Sequence, residues 1–171
     1  MHRVTLLFLV AGIAGCPGLG QVAFDVNSQG QSTVPGAGPA GGVLNVFPSF
    51  GNFNFSQNQT FQNNNTDKSH VDSAHLSKLT LKVVSPASAN LGFLNTVEFD
   101  ISAPNLPTVR IAEASIPANV ASVDLSLDAV DIGPYVKADS FSLTTKATGH
   151  QPSSDTTLEA DLTIHVVANV L

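Results

Sequence analysis

Strict alternation of apolar and polar residues marks the last segment of the chain. The polar positions are Glu159, Asp161, Thr163 and His165. The apolar positions around them are Leu158, Ala160, Leu162, Ile164, Val166 and Ala168. A period of two over this length predicts a long β-strand with one buried face. A slip in register would expose the whole apolar set, so we expect this strand to fix the register of its sheet.

Shorter alternating stretches occur along the rest of the chain, separated by Pro, Gly and Asn residues that are typical of turns. They lie at 22–26, 53–55, 79–83, 97–101, 109–111, 123–127 and 141–145. Residues 29–42 are dominated by Gly, Ser, Pro and Ala, and we predict a loop there, with room for one short strand at 32–34. Short helical turns are predicted near 43–47 and 129–137.

These elements together predict the fold class. Seven to nine short strands, one or two short helical turns and no long helix indicate an all-β fold, a two-sheet antiparallel β-sandwich. Alternation rather than solid apolar runs argues against a parallel sheet. The pattern does not separate an Ig-like topology from a jelly-roll, so both stay open.

The start of the chain has a different character. After Met1, His2 and Arg3, the stretch Val4–Gly15 has no charged residue. It is too short to span a bilayer as a helix, which takes roughly 20 residues. A weakly basic start, a short apolar run and small residues at its end predict a secretory signal. We therefore divide the chain into a signal at 1–15, a tether at 16–20 and a β-sandwich domain at 21–171.

The end of the apolar run carries a recognisable motif. Ile13-Ala14-Gly15-Cys16 resembles the lipobox of bacterial lipoproteins. The resemblance implies lipid attachment to the Cys16 thiol, cleavage before Cys16 and acylation of the new amino terminus. Pro17 in place of aspartate implies outer-membrane rather than inner-membrane sorting. The alternative is an ordinary signal cut near 18–20, with Cys16 as a small apolar residue.

Two physical facts agree with a lipidated cysteine. Cys16 is the only cysteine in the chain, so it has no intramolecular disulfide partner. A single acyl chain holds a protein weakly, whereas two or more hold it stably on a membrane. We therefore expect the membrane to be a partner, reached through the N-terminal lipid.

The charge balance excludes some partners. Arg3 lies in the signal, so residues 16–171 carry six of the seven Lys and Arg and all thirteen Asp and Glu, a net charge of −7. Phosphate binding needs clustered Lys and Arg, so no nucleic-acid partner is expected. A polybasic patch on anionic lipid is excluded for the same reason.

Half of the ten phenylalanines fall in one short stretch. They are Phe47, Phe50, Phe53, Phe55 and Phe61. One interpretation is that they cover one end of the core, which the alternation of Phe with Asn between 52 and 55 favours. The other interpretation is an exposed apolar surface for a partner, a ligand or a lipid.

The sequence contains two groups of potential metal ligands, and neither has the spacing of a metal site. They are His70, Asp72 and His75, and Asp124, Asp128 and Asp131. In the first group the histidines are five residues apart, which places them on opposite faces of a strand. The second group is explained as the solvated face of a strand. We expect no metal and no cofactor.

Motifs that carry catalysis are missing as well. The sequence contains neither Gly-x-Ser-x-Gly nor His-Glu-x-x-His, so no catalytic residue is assigned. His150 and His165 are expected to be surface residues. Trp, which often stacks on sugar rings, is absent, and Tyr135 is the only tyrosine. We expect Tyr135 to fill a corner of the core, with its hydroxyl on a backbone group.

The expected function is that of an envelope lipoprotein, anchored in the outer membrane, with a non-catalytic structural, adhesion or partner-binding role. An envelope protein or a glycan is the expected partner. The alternative is a small-ligand or glycan-binding module that uses residues 47–66 or a loop at the sandwich edge. A hydrolase is the remote alternative.

Overall fold

A computed structural model describes residues 20–37, 42–44, 48–53 and 58–171 of the protein. Nine strands occur in this part of the chain: β1 Gln21–Val34, β2 Phe50–Phe53, β3 Val71–Ser85, β4 Leu94–Ser102, β5 Val109–Ser115, β6 Ser122–Asp124, β7 Ser126–Leu127, β8 Phe141–Gly149 and β9 Thr156–Asn169. Short helices are α1 Gln59–Asn63, α2 Gly133–Lys137 and a 3-10 turn at Lys68–His70. Among the described residues, no helix combines the length and the apolar character needed to cross a bilayer.

The strands form two antiparallel sheets. One sheet has the order β1-β9-β3-β6 and the other the order β2-β8-β4-β5-β7. The pairs β1·β9, β2·β8, β3·β6 and β4·β5 are nested, with the first strand beside the last. This nesting of antiparallel pairs across two sheets is a jelly-roll. The β-sandwich prediction is confirmed, and the strand order decides between the two topologies that the sequence left open.

Strand β9 occupies the middle of its sheet, between β1 and β3. Its inward side chains are all buried, from Leu158 at 0% exposed to Leu162 at 3%. The predicted alternation of β9 is therefore confirmed. Glu159 is an exception on the polar face, because it is only 6% exposed and not solvated as expected.

Strand β1 is longer than predicted. It pairs with β9 without interruption from Gln21 opposite Asn169 to Val34 opposite Thr156. The loop predicted from residue 29 onward is therefore wrong for 29–31, whereas the short strand expected at 32–34 is part of β1. Gly30 has a low strand propensity, but the neighbouring strand β9 satisfies the backbone groups of this segment.

Each short α-helix buries an aromatic side chain, Phe61 in α1 and Tyr135 in α2. In α2, Pro134 occupies the first turn, where its missing N–H costs nothing. Tyr135 of α2 is 4% exposed, and its hydroxyl donates to the Pro107 carbonyl oxygen at 2.5 Å, as the sequence predicted. Helix α1 was not predicted; the Asn58 side chain caps it by accepting from the Thr60 amide at 2.9 Å.

Candidate functional site: the outer face of the four-stranded sheet

Polar side chains form cross-strand rows on the outer face of the four-stranded sheet. In an antiparallel pair, directly opposite residues project from the same face, so the register of β1 and β9 decides which of them meet. The opposite pairs are Asp25 and His165, Asn27 and Thr163, Gln29 and Asp161, and Gln31 and Glu159. These rows define the outer face on which the rest of the site is built.

Hydrogen bonds join three of these pairs. His165 Nδ1 donates to Asp25 Oδ1 at 2.8 Å, and Thr163 Oγ1 donates to Asn27 Oδ1 at 2.8 Å. Gln31 Nε2 donates to Glu159 Oε2 at 2.5 Å. The side chains of β1 and β9 are therefore held in place by each other, although the face is open to solvent.

A lysine bridges two carboxylates on the outer face. Lys82 of β3 lies 2.6 Å from Glu159 Oε1 and 2.6 Å from Asp161 Oδ2. The hydrogen bond from Lys82, followed by that from Gln31, holds the pKa of Glu159 below its ordinary value. The same contacts, first with Asp161 and then with Glu159, raise the pKa of Lys82. One lysine faces two carboxylates, so the cluster keeps a net charge of −1. The hydrogen bonds that Glu159 accepts from Lys82 and Gln31 explain how its carboxylate stays ionised although little of it is exposed.

An open groove of about 530 Å³ runs beside this cluster. Its lining residues are Asn27, Ser28, Gln29, Lys78, Thr80, Lys82, Asp161, Leu162 and Thr163. Eight of these nine residues carry an amide, a hydroxyl or a charge and none is aromatic, but carbon atoms make up more of the exposed lining than nitrogen and oxygen atoms do. Pockets for small molecules usually enclose most of the ligand surface. This groove is open, so it is suited to the surface of a larger molecule to which its polar groups can hydrogen-bond.

We predict that Glu159 makes the stability of the protein depend on acid pH. Its folded-state pKa is lowered, so its stabilising contribution is present above the unfolded value of about 4.3 and is lost as the pH falls through the folded value. In thermal melts between pH 7 and pH 3, Glu159→Gln should lower the Tm at pH 7 and should flatten the loss of Tm in acid. Asp72→Asn makes the same change of charge at an exposed position and should retain the wild-type slope. Parallel curves for Glu159→Gln and the wild type would contradict the assignment.

The five-stranded sheet carries ion pairs on its own outer face. Arg110 lies 2.8 Å from Asp128 and 2.9 Å from Glu113. Lys146 lies 2.7 Å from Asp100, which is 5% exposed. The hydrogen bond with Asp128 raises the pKa of Arg110, and that with Asp100 raises the pKa of Lys146. Each cation on this face is thus already paired with a carboxylate.

The structure separates the phenylalanines that the sequence grouped. Phe50 is 0% exposed and stacks on Phe99 with ring centroids 5.8 Å apart. Phe61 is 2% exposed and meets Phe24 edge-on at 5.1 Å. Neither ring offers a surface to a partner or ligand, because both are used inside the core. The interpretation as an exposed patch is therefore wrong for these two residues.

The other three phenylalanines of the predicted apolar surface are Phe47, Phe53 and Phe55. Phe53 lies in β2 opposite Phe141 of β8. Phe47 and Phe55 lie outside the described residues, as does Cys16. For Phe47, Phe55 and Cys16 the sequence-based predictions stay predictions.

The histidine group near the 3-10 turn is not one site. His70 Nδ1 lies 2.9 Å from Asp67 Oδ1, and the hydrogen bonds from Ser69 and then His70 lower the pKa of Asp67 to about 2. Asp72 accepts a long 3.4 Å hydrogen bond from Gln21, and His75 Nδ1 donates to the Val130 carbonyl at 3.1 Å. Each side chain of the group has its own separate partner.

The three aspartates of the acidic group also have separate partners. Asp124 accepts from Thr80, Asp128 pairs with Arg110, and Asp131 accepts from the amides of Ala74 and Gly133. Within the described residues, no three or more His, Cys, Asp or Glu side chains are grouped so that they could hold a metal ion together.

Sequence reasoning missed a row of three residues at one end of the outer face. His75 of β3 lies directly opposite His165 of β9, and Asp25 of β1 lies on the other side of His165. These residues are far apart in the chain, and only the strand order brings them together. The one signal in the sequence was that Asp25 and His165 each fall on the polar side of an alternating strand.

Comparison with known proteins adds little to this description. No protein-family model and no curated protein matches the chain. A solved chain of Desmodium yellow mottle tymovirus is 14% identical over 98% of each chain, with a TM-score of 0.33. A chain of the semi-empty VLP of the giant freshwater prawn Macrobrachium rosenbergii nodavirus (MrNV) is 10% identical over 100% of this chain and 95% of that one, with a TM-score of 0.34. The jelly-roll assignment rests on the strand order.

Proposed function

We propose that the protein is a lipoprotein of the bacterial cell envelope, anchored in the outer membrane, that binds a partner without catalysis. One observation carries the proposal: Ile13-Ala14-Gly15-Cys16 directly follows the uncharged run Val4–Gly15. The motif is the one that resembles a lipobox, and its position at the end of a signal-like segment is where lipidation requires it.

The proposed anchor would fix which end of the sandwich is next to the membrane. Strand β1 begins at Gln21, five Cα–Cα steps after Cys16, so the tether reaches at most about 18 Å. The end that carries Gly20 also carries Asn65 and Leu171, because Val170 donates to the Gly20 carbonyl and Leu171 donates to the Asn65 carbonyl. Strands β1, β9 and β3 would then extend away from the membrane surface. The outer face of their sheet would be accessible to a molecule that approaches parallel to the membrane.

The character of the groove favours a macromolecular partner. The groove is open and carries many hydrogen-bonding groups, and Lys78 and Asp161 offer charges of both signs. Surfaces of this kind resemble the solvent-accessible rim of protein–protein interfaces, where hydrogen bonds form between the partners. We therefore place the partner contact on the outer face of the four-stranded sheet rather than on the phenylalanine stretch.

The alternative is glycan binding along the same groove. Amide and hydroxyl groups from Asn27, Gln29 and Thr163 favour it, because they can hydrogen-bond to sugar hydroxyls. The lack of an aromatic side chain in the lining weighs against it. Capture of a stable protein from solubilised envelope membranes supports the first function, whereas specific binding on a glycan array supports the second.

Cys16→Ser tests the anchor. The intact mass of the wild-type chain, extracted from host membranes, should correspond to a protein that begins at Cys16 and carries diacylglyceryl and acyl groups. The Cys16→Ser variant should lack this mass and should leave the outer-membrane fraction. Gly18→Ser, which keeps the motif, should be processed like the wild type. A wild-type chain that begins near Gln21 without lipid would refute the anchor.

A further inference from the structure

Two histidines from different strands lie side by side at one end of the outer face. His75 of β3 and His165 of β9 are directly opposite residues of an antiparallel pair. Opposite residues project from the same face, with Cβ atoms about 4.5–5.5 Å apart. Both side chains are exposed, so both rings can be reached from solution.

Each ring uses Nδ1 for a hydrogen bond within the protein. His165 Nδ1 lies 2.8 Å from Asp25 Oδ1, and His75 Nδ1 lies 3.1 Å from the Val130 carbonyl oxygen. A carbonyl and an ionised carboxylate only accept hydrogen bonds, so Nδ1 carries the hydrogen in both rings. The lone pair of each neutral ring is therefore on Nε2. Metal-binding histidines show the same arrangement, in which an outer acceptor fixes the tautomer and orients the ring.

We propose that His75 and His165 bind a divalent transition-metal ion of the Zn²⁺ type through their two Nε2 atoms, with Asp25 and the Val130 carbonyl orienting the rings. Imidazole nitrogen is a preferred ligand of Zn²⁺ and of related ions. Zn²⁺ is tetrahedral, so two protein ligands leave two positions for water or for a group from outside the chain. The site goes beyond the proposed partner binding and does not depend on the lipid anchor.

The charges around the pair favour a cation. Asp25 lies on one side of His165, and Asp131 forms a β-bridge with His75 on the other side. Asp131 Oδ1 accepts hydrogen bonds from the backbone amides of Ala74 at 3.0 Å and of Gly133 at 2.9 Å, which hold the side chain in place. Carboxylates therefore flank the histidines on both sides.

The site is open rather than closed. The described residues place no third His, Cys, Asp or Glu side chain where it could share the ion with the two histidines. Structural zinc sites have four protein ligands, so binding here should be weaker and reversible. A carboxylate or imidazole from a docked molecule would complete the coordination.

The test uses the full, untagged chain in detergent, with Cys16→Ser in every protein so that no free thiol binds metal. Titration with Zn²⁺ alone should show one ion per chain. His75→Ala and His165→Ala should each abolish this binding, because either change leaves a single ligand. His150→Ala removes a histidine that is likewise exposed and should bind Zn²⁺ like the parent.

Two further measurements separate a metal site from a general loss of structure. X-ray absorption of the Zn²⁺ complex should show two nitrogen ligands at about 2.0–2.1 Å. Asp25→Ala should weaken binding by about tenfold or more through the ring orientation, while the melting temperature without metal stays that of the parent. If His75→Ala or His165→Ala has a lower melting temperature than the parent in the absence of metal, the glutamine variant of the same residue is measured in its place.

The proposal is overturned if the parent binds no Zn²⁺, or if the His75 and His165 variants bind it as the parent does. Loss of binding in His150→Ala would also overturn it, because the ion would then be held elsewhere.

Discussion

The chain with Ile164→Asp should not fold. Ile164 is 1% exposed in the central strand β9, opposite Val26 of β1 and Leu76 of β3. Losing a buried isoleucine costs about 2–5 kcal/mol, and an unpaired carboxylate in an apolar core adds a further large penalty. Domains of this kind are stable by about 5–15 kcal/mol in total. Circular dichroism and thermal melting should show no cooperative transition.

Thr163→Asp is the matched control for this change. Thr163 is the preceding residue of the same strand, on the outer face, with its hydroxyl bonded to Asn27 at 2.8 Å. Losing that hydrogen bond should cost about 1 kcal/mol, so this variant should melt cooperatively. A normal melt for Ile164→Asp would contradict the inward orientation of this set of side chains.

Phe50→Ala should lower the stability of the protein by about 3–5 kcal/mol, the usual cost of truncating a buried phenylalanine. Phe50 is 0% exposed and loses its stacking contact with Phe99. For a domain of this size, 1 kcal/mol lowers the Tm by about 2–4 °C, so the expected fall is roughly 6–20 °C. Calorimetry and urea unfolding measure it directly.

Val43→Ala is the control, because Val43 is the most exposed large apolar residue in the described part of the chain, at 75%. Its truncation should change stability by no more than about 0.5 kcal/mol. If Phe50→Ala kept the wild-type Tm and lost an envelope partner instead, Phe50 would belong to a binding surface and its place in the core would be refuted.

Residues 29–31 lie in a stretch rich in Gly and polar residues, which predicts a loop, yet they continue β1 into the short strand expected at 32–34. Their partner strand β9 has the strongest alternation in the chain, and it supplies the hydrogen bonds that local propensity does not. The alternation along β9 places Glu159 on the polar face and so predicts a solvated side chain. Its burial instead depends on Lys82 of β3 and Gln31 of β1, which contact it from the two neighbouring strands.

The candidate site could not be assembled from the sequence. Proximity along the chain groups His75 with His70 and Asp72. The structure gives each of them a different partner and sets His75 against His165 instead. Ninety residues of chain separate these two histidines, so no local spacing could have paired them.

By itself, the sequence determined the all-β class and the apolar buried side of β9, because alternation of apolar and polar residues is a local property with a fixed period. It also determined the signal-like start and the motif at Cys16. The tertiary structure alone decided the jelly-roll order, the register of β9 between β1 and β3, and the meeting of Asp25, His165 and His75. The physical reason is that every strand offers the same backbone hydrogen-bonding groups to any neighbour, so the choice of neighbour depends on how all the apolar faces pack into one core.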